Sequence, residues 1–535
     1  MRLPGLITML QQLWNNKWLL TGSAGLLLGL SFPPFNLPFL QIPAFLLLFR
    51  LADLCSTYRA AAYWSYFAFL LWNLIGTYWM MMATVGGGIA AILANSVLMT
   101  IPFVLQRLAL NKVEHPLPQS LLVASAWTGY EYLHHFWDLA WPWLALGNGW
   151  ANYTHLIQYI SYTGYLGISF WVVFSAVLFY VFIKHSYRKK VLTLALTATL
   201  IAPLISLAML TFQSQERPED QSSVRLVLAQ PDFDSYATHY GYKNAIEPLH
   251  AIMNLSDSLR NKRTDAIIWP ENAVQPYISN RNMSNRTANK IKRMIRDTSR
   301  QWGVPIVTGA TYFEYFKPDT QALPPLVRKP NSVAPYIYYN AAVGFFPERT
   351  LSVYKKVHLV PLVERIPFLL FLRRIDPFGI QWHELPWYGQ GTSFTQFKIS
   401  NTRTPALVCY DSVFPHWIRG FVNRGAGFLT IITNDGWWGN TSGHLQHFAY
   451  ARLRAIEFRR WVARSANNGI SGLISPDGRV VKRTEYKAQT AITANVPVRN
   501  DLTFFARFGG WLPISCLVMI GIWLIQLSYR AFKIR

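Results

Sequence analysis

Three residues in the polar part of this 535-residue sequence have the types that acyl-transfer chemistry needs: Cys409, Glu271 and Lys356. A thiol attacks a carbonyl only as its thiolate, and a free cysteine titrates near about 8.5, so a carboxylate that takes the proton makes it reactive. A lysine beside the same carbonyl holds the oxyanion of the tetrahedral intermediate, as does the backbone N–H of the next residue, Tyr410. Each member also has a plainer use. A cysteine closing an apolar strand most often packs, and a lysine or glutamate after a strand most often faces water. Cys409 is nevertheless set apart, because the other two of the three cysteines, Cys55 and Cys516, lie inside apolar segments. No disulfide framework and no CxxC metal site follow from such a set.

All three stand at or near the ends of short apolar runs, where a sheet holds a side chain while a loop exposes it. Glu271 closes Ile267-Ile268-Trp269-Pro270-Glu271, Lys356 lies in Tyr354-Lys355-Lys356-Val357-His358-Leu359-Val360-Pro361, and Cys409 closes Leu407-Val408-Cys409. The β-branched runs Val224–Ala229, Ala266–Trp269, Pro305–Gly309, Ala341–Phe346, Ala406–Cys409 and Phe428–Thr433 read as strands. His250–Lys262 and Arg286–Trp302 carry apolar residues at helical spacing. Buried strands alternating with helices imply a layered α/β domain.

The rest of the chain is of another kind. Hydrophobic residues make up 51% of the sequence and charged ones only 14%, against about a quarter charged in soluble proteins. Seven apolar stretches precede the polar region: Trp18–Phe35, Leu37–Asp53, Ala60–Met82, Gly88–Leu105, Gln119–Trp137, Gly164–Ile183 and Val191–Thr211. An eighth, Gly510–Tyr529, follows it. Each is read as a transmembrane helix, the hydrocarbon core needing about 20 residues. The first has basic residues before it like a secretory signal, but further spans follow and no small-residue cleavage site ends it, so it is expected to be retained.

Lysine and arginine follow the second, fourth, sixth and eighth spans (Arg59; Arg107 and Lys112; Lys184, Arg188, Lys189 and Lys190; Arg530, Lys533 and Arg535), with Arg2 and Lys17 before the first. None occurs from Ala60 to Gln106 or from Val113 to Ile183. Short basic loops stay in the cytoplasm, so both termini are expected inside and the polar domain outside. The net charge of +24 is then matched to anionic lipid headgroups rather than nucleic acid, for which no recognition motif is present.

The segments Trp269-Pro270-Glu271, Tyr354-x-Lys356-x-His358-Leu359-Val360-Pro361, Cys409-Tyr410-Asp411 and Asn434-Asp435-Gly436-Trp437-Trp438-Gly439 occur in this order between apolar spans. Together they resemble the nitrilase superfamily, and within it the apolipoprotein N-acyltransferase family, membrane enzymes that add the third acyl chain to bacterial lipoproteins. The likeness covers nearly the whole chain. It implies a membrane α-helical bundle of about eight transmembrane helices plus an extracytoplasmic α/β nitrilase-like αββα sandwich. The expected domains are 1–211 (seven spans), 222–500 (catalytic, periplasmic) and 510–529 (closing helix), in a bacterial inner membrane.

The resemblance makes Glu271 the general base, Lys356 the oxyanion partner and Cys409 the nucleophile, Tyr354 fixing the choice of Lys356 over Lys355. It gives supporting or substrate-binding roles to Glu364, Tyr410, Asp411 and Trp437. Asp411 departs from the family's usual glutamate by one methylene, and a family tryptophan is replaced in Gln230–Tyr236, where Tyr236 takes the nearest place. The implied partners are a phospholipid acyl donor and a diacylated apolipoprotein acceptor, with no metal and no cofactor. The alternative is a membrane-anchored carbon–nitrogen hydrolase with the same triad.

Four further features complete the reading. His444 and His447, three apart on an expected helix, have the types for metal ligands or for a Cys–His dyad partner, but no third ligand accompanies them and Glu271 and Lys356 already fill the catalytic roles. Arg452, Arg454, Glu457 and Arg464 read as the salt-bridging face of a helix. Ile366–Arg374 puts five large apolar residues before two arginines, too short to span and suited equally to an interfacial lid or to a buried helix of the catalytic domain. Trp141–Trp150 is an aromatic loop that either packs or borders an acyl entrance.

Overall fold

A computed structural model describes residues 14–184, 189–213, 222–282, 284–317, 326–329, 334–348, 351–375 and 387–534. Arg2, Arg188 and Arg535, which contribute to the charge asymmetry, lie outside the described residues. The chain divides into two compact units: Met1–Glu216 with Thr441–Glu457 and Thr503–Arg535, and Arg217–Asn440 with Phe458–Leu502.

The first unit is helical, and every expected span falls on a helix: α1 Lys17–Leu30, α2 Gln41–Leu54, α3 Tyr58–Thr77, α4 Val85–Lys112, α5 Pro116–Leu133, α6 Leu166–Lys184, α7 Lys189–Gln213 and, at the end of the chain, α13 Trp511–Ile534. Local chemistry sets several starts. The Asn16 side chain accepts from the N–H groups of Trp18 and Leu19, Thr57 caps Ala60, and Pro116 opens α5. Among the described residues four helices are long and apolar enough to cross a membrane: Val85–Lys112, Leu166–Lys184, Lys189–Phe212 and Trp511–Lys533. The first two expected spans are shortened, α1 and α2 having 14 residues each, or about 21 Å of helix. The loop Trp141–Trp150 forms two 3₁₀ turns, Pro142–Leu144 and Leu146–Trp150, whose side chains are buried.

The second unit is a pair of facing sheets. The larger runs in the order Thr490–Pro497, Ser223–Gln230, Ala266–Ile268, Ile306–Tyr315, Tyr336–Phe345 and Ser352–Lys355, with Val274–Ser279 also on Ile306–Tyr315; the smaller runs Val480–Arg483, Gly472–Ile474, Val462–Ala466, Leu429–Thr433 and Ala406–Val408. Its strands that matter below are β1 Ser223–Gln230, β2 Ala266–Ile268, β3 Val274–Ser279, β4 Ile306–Tyr315, β5 Tyr336–Phe345, β6 Ser352–Lys355, β9 Ala406–Val408, β10 Leu429–Thr433 and β11 Val462–Ala466. Strands β1, β2 and β4 are mutually parallel neighbours, as are β9, β10 and β11. Parallel pairing requires crossover connections and burial of both faces, which explains why these strands are continuous apolar runs. Ser465 on β11 donates to the carbonyls of Ala229 and Ile268 at 2.7 and 3.3 Å, joining the inner faces. Helices α8 Glu247–Asp257 and α9 Arg286–Trp302 supply Leu249, Ile252, Ile291 and Ile295 to the same core as Val227, Ile267, Ile306 and Val343.

All six expected strands form. β4 and β5 run longer than expected because their antiparallel ladder continues from Ile306–Phe345 out to Tyr315–Tyr336, through tyrosines that alternation alone does not mark.

One helix departs from the expected organisation. α12 Ser442–Phe458 connects the parallel strands β10 and β11, yet its residues 441–457 group with the helical unit. Gln446 accounts for this. Its side-chain nitrogen donates to the carbonyls of Pro33 and Gly76, both at 2.9 Å, and its oxygen accepts from the indoles of Trp79 and Trp143 at 3.1 and 2.7 Å. Every hydrogen-bonding group of a fully buried amide is thereby used, which ties the helix to this unit. Gln446→Leu keeps the volume and removes these four hydrogen bonds, at about 2 kcal/mol. The thermal unfolding midpoint of the detergent-solubilised protein should fall; an unchanged midpoint would show that the node contributes nothing.

Candidate active site

The three candidate residues arrive on different elements of the second unit. Glu271 follows β2, where Trp269 donates to Val307 at 2.8 Å and Gly309 donates to Pro270 at 3.0 Å. A Cβ on Gly309 would sit 2.4 Å from the Glu271 Cα, so β4 passes Glu271 at a distance only glycine permits. Lys356 follows β6, its backbone N–H donating to Asn340 on β5 at 2.9 Å. Cys409 ends β9 and opens the 3₁₀ turn Cys409–Val413 with φ of 48°. A non-glycine residue in that left-handed region carries strain, which the Ser412 hydroxyl bond to the Cys409 carbonyl at 2.7 Å helps to hold.

The Lys356 ammonium, 1% exposed, lies 2.9 Å from both carboxylate oxygens of Glu364 and 3.6 Å from Glu271 Oε1. Asn340 Nδ2 donates to Glu271 Oε1 at 2.7 Å and to Glu364 Oε1 at 2.8 Å. Glu271 Oε2 accepts the backbone N–H of Asn434 at 2.9 Å, and Glu364 Oε2 that of Val360 at 2.8 Å. Burial raises the Glu271 carboxyl above the usual carboxylate range, with Glu364 adding to the rise and Lys356, Asn340 and Asn434 opposing it. Burial by itself would lower the Lys356 ammonium, but Glu364, Glu271 and Cys409 outweigh it, so the lysine stays charged. The Cys409 thiol is pushed well up, first by burial, then by Glu271 and Asp435, against the pull of Lys356 and Thr433. Such an environment favours the thiol over the thiolate, so Cys409 could act as a nucleophile only by giving up its proton to a base.

Asp411 is fully buried and joins two sequence motifs. It accepts from the Tyr354 hydroxyl at 2.7 Å, the His358 N–H at 2.7 Å, the His358 Nδ1–H at 3.0 Å and the Val357 N–H at 3.3 Å. The turn that carries Cys409 is in this way tied to both sides of Lys356. Lys355 points elsewhere, pairing with Glu314 at 2.7 Å. Trp437 lies on the 3₁₀ turn Asp435–Trp438, its carbonyl accepting from Tyr236 at 2.9 Å and its ring meeting Tyr236 edge-on at 5.3 Å. Tyr410 is buried, its ring against Phe414.

The family that describes apolipoprotein N-acyltransferase N-terminal domains matches residues 24–178, and the carbon-nitrogen hydrolase family matches residues 239–500. An apolipoprotein N-acyltransferase of Chlorobaculum tepidum is 30% identical over 97% of this chain and 98% of its own length. The chain belongs to the apolipoprotein N-acyltransferase family. Apolipoprotein N-acyltransferase 2 of Treponema denticola is 27% identical over 90% of each chain, and a relative from Thermotoga maritima 27% identical over 79% of this chain and 74% of its own.

Within this family member one expectation is corrected. Arg464 is not on the face of a helix: it lies on β11, fully buried, and donates to Asp435 at 2.7 Å and to the Ile470 carbonyl at 3.1 Å. A continuous run of charges from Arg452 suggested one helix, whereas α12 ends at Phe458. Arg454 and Glu457 do pair within α12 at 2.8 Å. His444 and His447 lie on α12 in the helical unit, and no metal-holding group of His, Cys, Asp or Glu occurs among the described residues.

Two contributors escaped the sequence reading. Asn340 sits inside an apolar strand, and Asn434 contributes a backbone N–H that no side-chain type announces. Asp411→Ala would leave the Tyr354 hydroxyl and the His358 donors without their buried acceptor, at about 3 kcal/mol. Its denaturation midpoint should drop and Cys409 acylation should slow with it; wild-type values for both would remove Asp411 from the architecture of the site.

Proposed function

We propose that the chain transfers an acyl chain from a membrane phospholipid to the α-amine of a diacylglyceryl-cysteine at the N-terminus of a lipoprotein. The observation that carries this reading is the buried group of Lys356 and Glu271, 3.6 Å apart, in electrostatic range of a cysteine held on a strained turn. Glu271 takes the proton of Cys409 as sulfur attacks the ester carbonyl. Lys356 and the Tyr410 N–H stabilise the oxyanion, the lysophospholipid leaves, and a thioester on Cys409 remains. The α-amine then attacks the thioester, forming the amide and restoring the thiol.

Glu364 holds the Lys356 ammonium in place, Asp411 holds the segment around it, and Trp437 with Tyr236 offers an apolar wall for the acyl chain. Eight membrane crossings, cytoplasmic termini and a periplasmic catalytic domain complete the proposal, supported by the alternating basic loops and by a helix at each apolar stretch. Kinship with acyltransferases extends through the helical unit as well as the catalytic one, which a water-using hydrolase of the same triad would not need. Lipid substrates lose apolar burial on entering water, so the reaction belongs at the bilayer surface.

The short helix α10 Leu369–Ile375 follows Glu364 and exposes Phe371 and Ile375, with Phe368 exposed just before it. Its proposed role is an interfacial lid, Arg373 and Arg374 meeting lipid phosphates. Replacing Phe368 and Phe371 together with serine should slow turnover of phospholipid in vesicles about tenfold or more with little change in unfolding temperature. Equal loss of stability and turnover would make α10 a packing element instead.

The central experiment incubates the protein with a phospholipid and follows the acyl adduct on Cys409 by mass spectrometry across pH. Glu271 must be ionised to act as a base, so the rate should climb with pH through a limb above the usual carboxylate range, and Glu271→Gln should abolish that limb. An adduct that never forms, or forms equally in Cys409→Ala, refutes the mechanism.

A further inference from the structure

Asn340 is the one described side chain whose single amide nitrogen bridges both carboxylates of the site, Glu271 at 2.7 Å and Glu364 at 2.8 Å. Its place is fixed from both directions along the sheet. Asn340 lies in the ladder opposite Thr311 on β4, and its carbonyl accepts the Lys356 N–H at 2.9 Å. The amide orientation is settled by chemistry, since two carboxylates can only accept and the nitrogen must face them.

We infer that Asn340 is a positioning residue that selects Glu271 Oε2 as the atom receiving the thiol proton. This rests on the reading of Glu271 as the base. Glu271 Oε1 takes one N–H from Asn340 and faces the Lys356 ammonium at 3.6 Å. Glu271 Oε2 takes only the Asn434 N–H at 2.9 Å, which leaves it a lone pair. Both oxygens of Glu364 are engaged by Lys356, with Asn340 and Val360 adding one donor each. The proton of Cys409 Sγ therefore passes to Glu271 Oε2, while the S–H electron pair stays on sulfur and becomes the new S–C bond. When the tetrahedral intermediate collapses, the C–O bond breaks and the departing alkoxide takes the same proton from Oε2.

Asn340 also keeps two like charges usable at close quarters. Its two N–H groups hold both carboxylates, and the bond to Glu271 favours the ionised form of that group, opposing the burial and the Glu364 repulsion that push Glu271 toward protonation. Without them Glu271 holds a proton at higher pH, and a protonated Glu271 cannot accept another.

The test reads thiol reactivity in the full-length protein, independent of any lipid. Peptide-resolved mass spectrometry follows alkylation of Cys409 by iodoacetamide across pH for wild type, Asn340→Leu, Asn340→Asp and Asn340→Gln. In Asn340→Leu the onset of alkylation should move to higher pH, with a rate at neutral pH about tenfold or more below wild type. Asn340→Asp, nearly the same shape, should shift the onset upward too, and Asn340→Gln, which keeps the donors, should recover part of the rate. Onsets at the wild-type pH in both Leu and Asp variants, or a loss uniform across pH, would overturn the role. Should the lipid adduct fail to form while these shifts appear, the acyl-transfer reading falls and the positioning role of Asn340 stands.

Discussion

A single buried ammonium organises this catalytic unit. Lys356 has almost no contact with water, and a cation in such a place is tolerable only with anionic partners and full use of its hydrogens. Two carboxylates provide them, but two carboxylates and one ammonium leave the group one negative charge in excess. Burial first, and then the neighbouring Glu364 charge, make Glu271 hold its proton more tightly than an ordinary carboxylate, while Glu364, nearer the lysine, is the principal counter-ion. Moving the thiol proton to Glu271 leaves the total buried charge unchanged, so activation of the nucleophile needs no charge brought in from solvent. In a dry site that economy matters, because every uncompensated charge is felt strongly.

Around this group the backbone is held with little freedom. Glycine at position 309 lets β4 pass against Glu271, Cys409 stands in a left-handed turn at the end of β9, and Asp411 binds that turn to the strand end bearing Lys356. The shorter aspartate thus serves where the family usually has glutamate: its carboxylate reaches a tyrosine and a histidine of the lysine motif without the extra methylene. The motifs Tyr-x-Lys-x-His and Cys-Tyr-Asp are consequently two halves of one hydrogen-bonded structure.

The helical unit obeys a different constraint. Its helices are apolar on most faces, and polar atoms among them must find partners within the protein. Gln446 does so for two indoles and two carbonyls, drawing into this unit a helix whose flanking strands β10 and β11 belong to the other. A connection that in an ordinary α/β domain would only cover a sheet becomes a structural member of the bundle.

The apolar stretches, the alternating basic loops, the strands bearing Glu271 and Cys409, and the composition of the candidate site were all legible in the chain, because periodicity, hydropathy and side-chain chemistry are local properties. Long-range pairing was not. Asn340 looks like an ordinary strand residue until β5 is set beside β4 and β6, Arg464 reads as helical until the chain returns as β11 opposite Asp435, and Asn434 acts through a backbone N–H that carries no side-chain signature. The sequence by itself determined which groups could act as nucleophile, base and oxyanion partner. Only the tertiary structure decided which oxygen of which carboxylate faces which donor, since hydrogen-bond geometry is set by residues about seventy to a hundred and sixty positions apart in the chain, as in the bonds from Asn340 and Asn434 to Glu271.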